Sequence, residues 1–251
     1  MEKAAHTSFI WSFVGAGGKT TGIFCVAEYL IRQGYKVMVT TTTHMAIPDD
    51  PAFIPGDSAS DIRERLEKYG YVIAGIPLTE RKMKGITWET ISLVADAADA
   101  ILIEADGSAR LPFKVPAAHE PVIYPKTSRI FVTEGLTALG KPLNDICHRI
   151  ELFCEMTGLS KDSLLDETKM AEGVYKGFLV MLEKKYPEAS LTVILNQADD
   201  KESEDAGEKV KQELLKLWEY EKKHNGTDLN IRILSWRHLR KEREELGWLF
   251  N

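Results

Sequence analysis

The chain has 251 residues, 44% of them hydrophobic and 28% charged, with a formal net charge of −6. It is long enough to bury a full core, too apolar for a disordered polymer, and free of any apolar run near the ~18 residues that cross a bilayer. The negative charge and the lack of a long basic stripe argue against a nucleic acid backbone as the ligand. Cys25, Cys147 and Cys154 show no metal-type spacing and cannot all pair, so reduced thiols are expected. Met1 to Ser8 leads into the first strand without an apolar signal segment, which gives the expectation of a cytoplasmic location. One α/β domain over residues 1–251 is expected.

Phe9 to Val14 is an apolar strand run that enters a loop with glycines at 15, 17 and 18, followed by Lys19-Thr20-Thr21 and a helical pattern. Glycines let such a loop turn at φ > 0, and the helix that follows presents its positive end, so the order strand, loop, helix reads as a nucleoside triphosphate site. On this reading Gly15, Ala16, Gly17 and Gly18 cradle phosphate and Lys19, from an exposed position, reaches the β and γ phosphates. The Thr20 hydroxyl holds Mg²⁺ and Thr21 supports the first helical turn. The loop is shorter than the usual phosphate loop and is similar to that of the Mur-type peptide ligases.

The helix runs from Thr20 to Gln33, Lys36 to Thr40 is the second strand, and the threonines of Thr40-Thr41-Thr42-Thr43-His44-Met45 lie where a parallel sheet lines its ligand crevice, although threonine is also plain strand material. Pro48 to Gly56 reads as a surface loop, Ala59 to Tyr69 as a helix, Tyr71 to Ala74 as a strand and Trp88 to Ala97 as a helix; Leu78 to Lys84 has no clear pattern. The strand from Ala100 closes on Glu104-Ala105-Asp106-Gly107, and period-two alternation puts Glu104 and Asp106 on one side at its carboxyl end, where carboxylates hold Mg²⁺. Ser108 to Lys126 has the length and aperiodicity of a functional loop; Arg110 and Lys114 are candidates for neutralising phosphate charge, His119 or Glu120 for handling a proton.

Arg129 to Thr133 is a strand, and helices are expected over Arg149 to Met156 and Met170 to Lys185, with Cys147 and Cys154 spaced to share a helical face. Leu191 to Leu195 is a late strand that ends in Asn196-Gln197-Ala198-Asp199. This resembles the Asn-Lys-X-Asp guanine-reading motif of GTPases with glutamine for lysine, which implies that Asp199 accepts from guanine and Asn196 ties its loop to the phosphate loop or the base. Ser235-Trp236-Arg237, after strand Ile231 to Leu234, stands where GTPases carry a small backbone-contact motif. Helices are expected from Glu202 to Lys223, ending near Asn225-Gly226, and from Trp236 to Leu249.

Taken in order, Val14 to Thr21, Val39 to Met45, Ile103 to Gly107, Pro116-Ala117-Ala118-His119-Glu120-Pro121, Leu139-Gly140-Lys141-Pro142-Leu143 and Asn196 to Asp199 resemble the YqeC family over essentially the whole chain. The resemblance implies a P-loop NTPase-like accessory protein of selenium-dependent molybdenum hydroxylases, with the reaction unassigned. The expected fold is a three-layer α/β sandwich with a mostly parallel sheet. The expected function is Mg²⁺-dependent binding and hydrolysis of ATP or GTP in selenium cofactor maturation. Lys19, Asp106, Arg110, His119 and Glu120 are the catalytic candidates, and Thr20, Glu104 and Asp106 the metal candidates. Partners implied are the nucleotide and a molybdenum hydroxylase or selenium-delivery protein, with no nucleic acid and no membrane. A kinase or ligase acting on a small molecule and a non-catalytic nucleotide-gated chaperone remain open alternatives.

Overall fold

The computed structural model describes residues 8–220 and 229–250. In chain order the strands and helices are β1 (Phe9–Gly15), α1 (Lys19–Arg32), β2 (Val37–Thr41), β3 (His44–Ala46), β4 (Phe53–Pro55), α2 (Ala59–Tyr69), β5 (Tyr71–Thr79), β6 (Lys82–Lys84), α3 (Trp88–Val94), β7 (Ala100–Glu104), β8 (Phe113–Lys114) and β9 (Arg129–Gly135). They continue with α4 (Leu143–Ile146), β10 (Cys147–His148), α5 (Ile150–Thr157), α6 (Glu167–Val174), α7 (Val180–Lys185), β11 (Ser190–Asn196), α8 (Lys201–Tyr220), β12 (Asn230–Ile233) and α9 (Trp236–Glu242).

The main sheet runs β12-β11-β9-β1-β7-β2-β5-β6-β3, with β4 on β5. Every pairing from β12 to β5 is parallel, and only β6, paired antiparallel with β5 and β3 at one edge, runs the other way. The central strands are buried on both faces because helices cover both. Trp11 and Phe13 of β1 pack with α1, Trp236 and Leu249 on one face, while Ile10 packs with α2 and α3, and Val14 with α6 to α8, on the other. This is the expected three-layer, mostly parallel α/β sandwich. β1 sits between β7 and β9, so the carboxyl ends of all three converge on the loop after Gly15.

Local chemistry sets the helix ends: Ser58 and Thr87 accept from Asp61 N and Thr90 N to start α2 and α3, and Gly70 closes α2 in the left-handed region. Several expectations are corrected. The Pro48 to Gly56 loop contains β4, added to the sheet beside β5, and Leu78 to Lys84 completes β5 and turns into β6. Helix α3 stops at Val94, and the helix expected from Met170 starts at Glu167, capped by Asp166, and continues through a π turn at Tyr175–Leu179 into α7. Cys147 lies on β10 and Cys154 on α5, so they do not share a helical face: Arg149, at φ 71, breaks the chain between them. The last helix ends at Glu242 because Arg243 is left-handed, and a 3-10 turn over Gly247–Phe250 follows. The end expected for α8 near Asn225-Gly226 falls outside the described residues. Among the described residues no helix is long and apolar enough to cross a membrane.

Candidate functional site

The loop after β1 turns through Gly15, Gly17 and Gly18 at φ 93, 66 and 125. A Cβ on Gly17 would lie 2.3 Å from Gly135 N and one on Gly18 2.3 Å from Asn196 Nδ2, so the loop is pressed against the ends of β9 and β11 and glycine is required there. The amides of Gly15, Ala16 and Gly17 point to Asp106 Oδ2 at 2.9 Å, Thr133 O at 2.6 Å and Leu111 O at 3.3 Å, which makes these residues the shape of the loop. The first intrahelical bond is Gly22 N to Gly18 O, so the donors open to an anion are the N-cap amide of Gly18 and those that begin α1, Lys19, Thr20 and Thr21.

Lys19 is 4% exposed, not the exposed lysine expected from sequence. Its ammonium donates to Gly15 O and lies 3.1 Å from Asp106 Oδ1. A buried ammonium needs a counter-ion, and Asp106, fully buried behind the loop, supplies it. Thr20 is exposed, and its hydroxyl donates to Glu104 Oε2 at 2.7 Å. Both acids at the end of β7 therefore reach the loop, as their alternation predicts. Burial pushes the Glu104 carboxyl up, against the opposing pull of Lys19 and of the Thr20 hydrogen bond. Oxygen donors from Thr20 and Glu104 suit a hard divalent cation, whereas Asp106 already has both oxygens engaged by Lys19, Gly15 N and Lys114.

Lys114 is the residue whose place the sequence least reveals. It has no exposure, and its ammonium reaches Asp106 Oδ2 at 3.1 Å, Glu120 Oε2 at 3.0 Å and Gly107 O at 2.8 Å. Glu120 also takes Arg149 at 2.9 Å. Burial raises the Glu120 pKa, but the hydrogen bonds from Arg149 and Lys114 outweigh it and hold the carboxyl at about 2. Glu120 is thus an ionised bridge. β8 and β10 pair in parallel with His148 opposite Lys114, so half-buried His148 stands beside this cluster. Desolvation, then the cations Lys114 and Arg149, push the His148 pKa down. Glu134, fully buried at the end of β9, accepts from Lys114 N at 3.1 Å and has its pKa pushed well up by burial.

Arg110 and His119 are not drawn into the cluster. Both are exposed and make no hydrogen bond or ion pair among the described residues, and Ala109 and Arg110, both at positive φ, turn the chain outward there. Three hydroxyls of the threonine run are taken up by the protein: Thr40, Thr41 and Thr42 donate to Ala74 O, Glu104 O and Val122 O at 2.9, 2.8 and 2.5 Å. The hydroxyl of half-buried Thr43 lies 3.4 Å from that of Thr41.

On the other side of the loop, Asn196 is buried and donates through Nδ2 to Gly17 O at 2.6 Å, while its Oδ1 accepts from Trp236 N at 2.9 Å. Ser235 caps α9 by accepting from His238 N at 3.3 Å and donates to Asp199 Oδ1 at 2.6 Å. Asp199 remains 42% exposed, and Trp236 packs so closely on α1 that a Cβ on Gly22 would sit 2.7 Å from its Nε1. Gln197, at φ 67, turns its side chain to the Thr137 hydroxyl and over Gly135.

Residues 11–151 match the family model of the YqeC protein. A curated relative from Escherichia coli (strain K12), the uncharacterized protein YqeC, is 38% identical over 167 residues, covering 61% of this chain and 62% of that protein. Among solved structures, an LAO/AO transport system kinase aligns with a TM-score of 0.45 and 11% identity over 97% of this chain and 57% of its own. FtsY from Mycoplasma mycoides aligns with a TM-score of 0.37 and 14% identity over 86% and 60%. The chain thus spans about three fifths of the length of each of these three proteins.

Proposed function

We propose that this chain, which belongs to the YqeC family, is a Mg²⁺-dependent nucleoside triphosphatase that prefers guanine. The observation that carries the base preference is the pair of contacts after β11. Asn196 staples that loop to Gly17 of the phosphate loop, and Asp199 is oriented by Ser235 with one side still open. A carboxylate so placed accepts from the two N–H groups on one edge of guanine, and adenine offers no matching pair. The α1 amides and Lys19 would supply the phosphate end, and Thr20 with Glu104 would hold the cation, which would supply positive charge to offset that of the phosphates. The continuous sheet supports the reading of residues 1–251 as one domain.

Service to selenium-dependent molybdenum hydroxylases belongs to the same proposal and rests on the resemblance of the sequence motifs alone. A thermal-shift panel of ATP, GTP, CTP and UTP, with and without Mg²⁺, tests the nucleotide reading. A ligand at 100 times its Kd stabilises by about 2.7 kcal/mol, and GTP with Mg²⁺ should give the largest shift. No shift with any triphosphate overturns the proposal.

A further inference from the structure

Five charged side chains form one continuous chain behind the phosphate loop: Lys19 to Asp106, Asp106 to Lys114, Lys114 to Glu120, Glu120 to Arg149. Each acid in it touches two cations, so the chain carries one cation more than it has acids. Lys19 is the cation at the end nearest the loop, and beyond Asp106 its ammonium meets only the carbonyl of Gly15 in its own loop. Lys114 is different: it has no exposure, its ammonium donates to Gly107 O and Glu120 Oε2 and lies 3.1 Å from Asp106 Oδ2, so it is enclosed by protein groups and turned away from any ligand at the loop.

A phosphate-binding lysine must leave its resting partners to meet a triphosphate. Were Asp106 paired with Lys19 alone, that departure would strand a fully buried carboxylate, which is strongly unfavourable. We propose that Lys114 is a positioning residue for the nucleotide site: by holding Asp106 from the other side, it keeps that carboxylate paired when Lys19 moves to the phosphates. The inference rests on the nucleotide reading above, and it gives Lys114 an effect on binding although the side chain does not touch the ligand. Glu120 and Arg149 serve the same end, because Arg149 keeps Glu120 satisfied whichever way Lys114 leans.

The test is calorimetric titration of the full chain with GTP in EDTA, which takes any divalent cation out of the comparison. The variants are Lys114→Met, Asp106→Asn and the double variant. Lys114→Met should bind metal-free GTP at least ~10-fold more weakly, because Asp106 then competes with phosphate for Lys19. Asp106→Asn, which frees Lys19, should bind it more tightly than wild type, and adding Lys114→Met to it should change affinity less than ~3-fold. A purely structural role for Lys114 would instead weaken the double variant as much as the single. That result overturns the proposal, as does Asp106→Asn binding no more tightly than wild type, a comparison that stands even if Lys114→Met alone does not fold. Wild type that binds no triphosphate removes the nucleotide reading itself; wild type that binds while Lys114→Met is unchanged removes only this inference.

Discussion

The Asp199 carboxylate accepts a 2.6 Å hydrogen bond from the hydroxyl of Ser235, which lies 36 positions later in the chain. Ser235 is also the N-cap of α9, so one hydroxyl fixes both the helix and the acid. On the proposed reading, Asp199 sets base choice. With an uncharged Gln197, turned toward Thr137, in place of a lysine stem over the base, discrimination between GTP and ATP should be moderate, on the order of 10-fold to 100-fold, or about 1.4 to 2.8 kcal/mol. Asp199→Asn replaces one acceptor with a donor and should lose GTP affinity while gaining XTP affinity. Ser235→Ala should loosen Asp199 and cost GTP more than ATP. Competition binding of ATP, GTP and XTP decides it: a wild-type preference for ATP that ignores both substitutions would reduce Asn196 to Asp199 to a strand-ending turn.

Lys19→Ala should abolish productive triphosphate binding. Because Lys19 is buried against Asp106, the variant should also lose about 1–3 kcal/mol of stability, more than an exposed loop lysine would, yet still fold because Lys114 remains on Asp106. Chemical denaturation and calorimetry on one preparation check both halves. Unchanged affinity for Mg-GTP would count against the phosphate loop as the binding site.

What the sequence displays and what it hides divide along contact range. The loop from Gly15 to Thr21, the acids closing β7 and the turn from Asn196 to Asp199 are each written in a few consecutive residues at the carboxyl end of a strand, so local pattern suffices to find them. Lys114, Glu134, His148 and Arg149 are different. His148 and Arg149 come to Lys114 because the two-residue strands β8 and β10 pair across more than thirty positions, and Glu134 reaches Lys114 N from the end of β9, contacts with no periodic signature. Lys114 therefore looks like a solvated loop residue in the sequence, while the structure makes it fully buried. His119, conspicuous between prolines, stays exposed, and His148 takes the place beside the charges. The positive φ of Arg149 and Gln197 is also invisible in residue type, since neither is a residue that commonly adopts it.

Metal dependence should map first to Thr20 and Glu104, whose side chains meet at 2.7 Å at the mouth of the loop. Thr20→Ala and Glu104→Gln each remove an oxygen donor suited to Mg²⁺ without touching the Lys19–Asp106 pair. Each should weaken Mg-GTP by about 10-fold or more and metal-free GTP by much less, about 1.4 kcal/mol separating the two. Titrations with and without Mg²⁺ measure this difference directly, and equal losses in both conditions would assign the pair a structural role.

The last prediction concerns pH. Glu134 is fully buried at the end of β9, its Oε1 has no hydrogen-bond partner among the described residues, and burial pushes its pKa well above the ordinary 4.5. In the folded protein it keeps its proton to a higher pH than in the unfolded chain, so above pH 4.5 the unfolded state binds fewer protons and stability falls as pH rises toward the folded value. Glu104, also raised by burial, adds to the same decline. Glu120 works in the opposite sense: with a folded value of about 2, it contributes stability above 4.5 that is lost as pH drops through the folded value. Glu134→Gln keeps the shape and the carbonyl that accepts from Lys114 N, but has no proton to lose. The variant should match wild type near pH 4.5 and become more stable than it as pH rises toward the folded value of Glu134, retaining only the decline that Glu104 supplies. Urea unfolding across pH 4 to 8 measures this difference, and a stability gap between variant and wild type that stays constant over that range would show that Glu134 does not hold its proton in the fold.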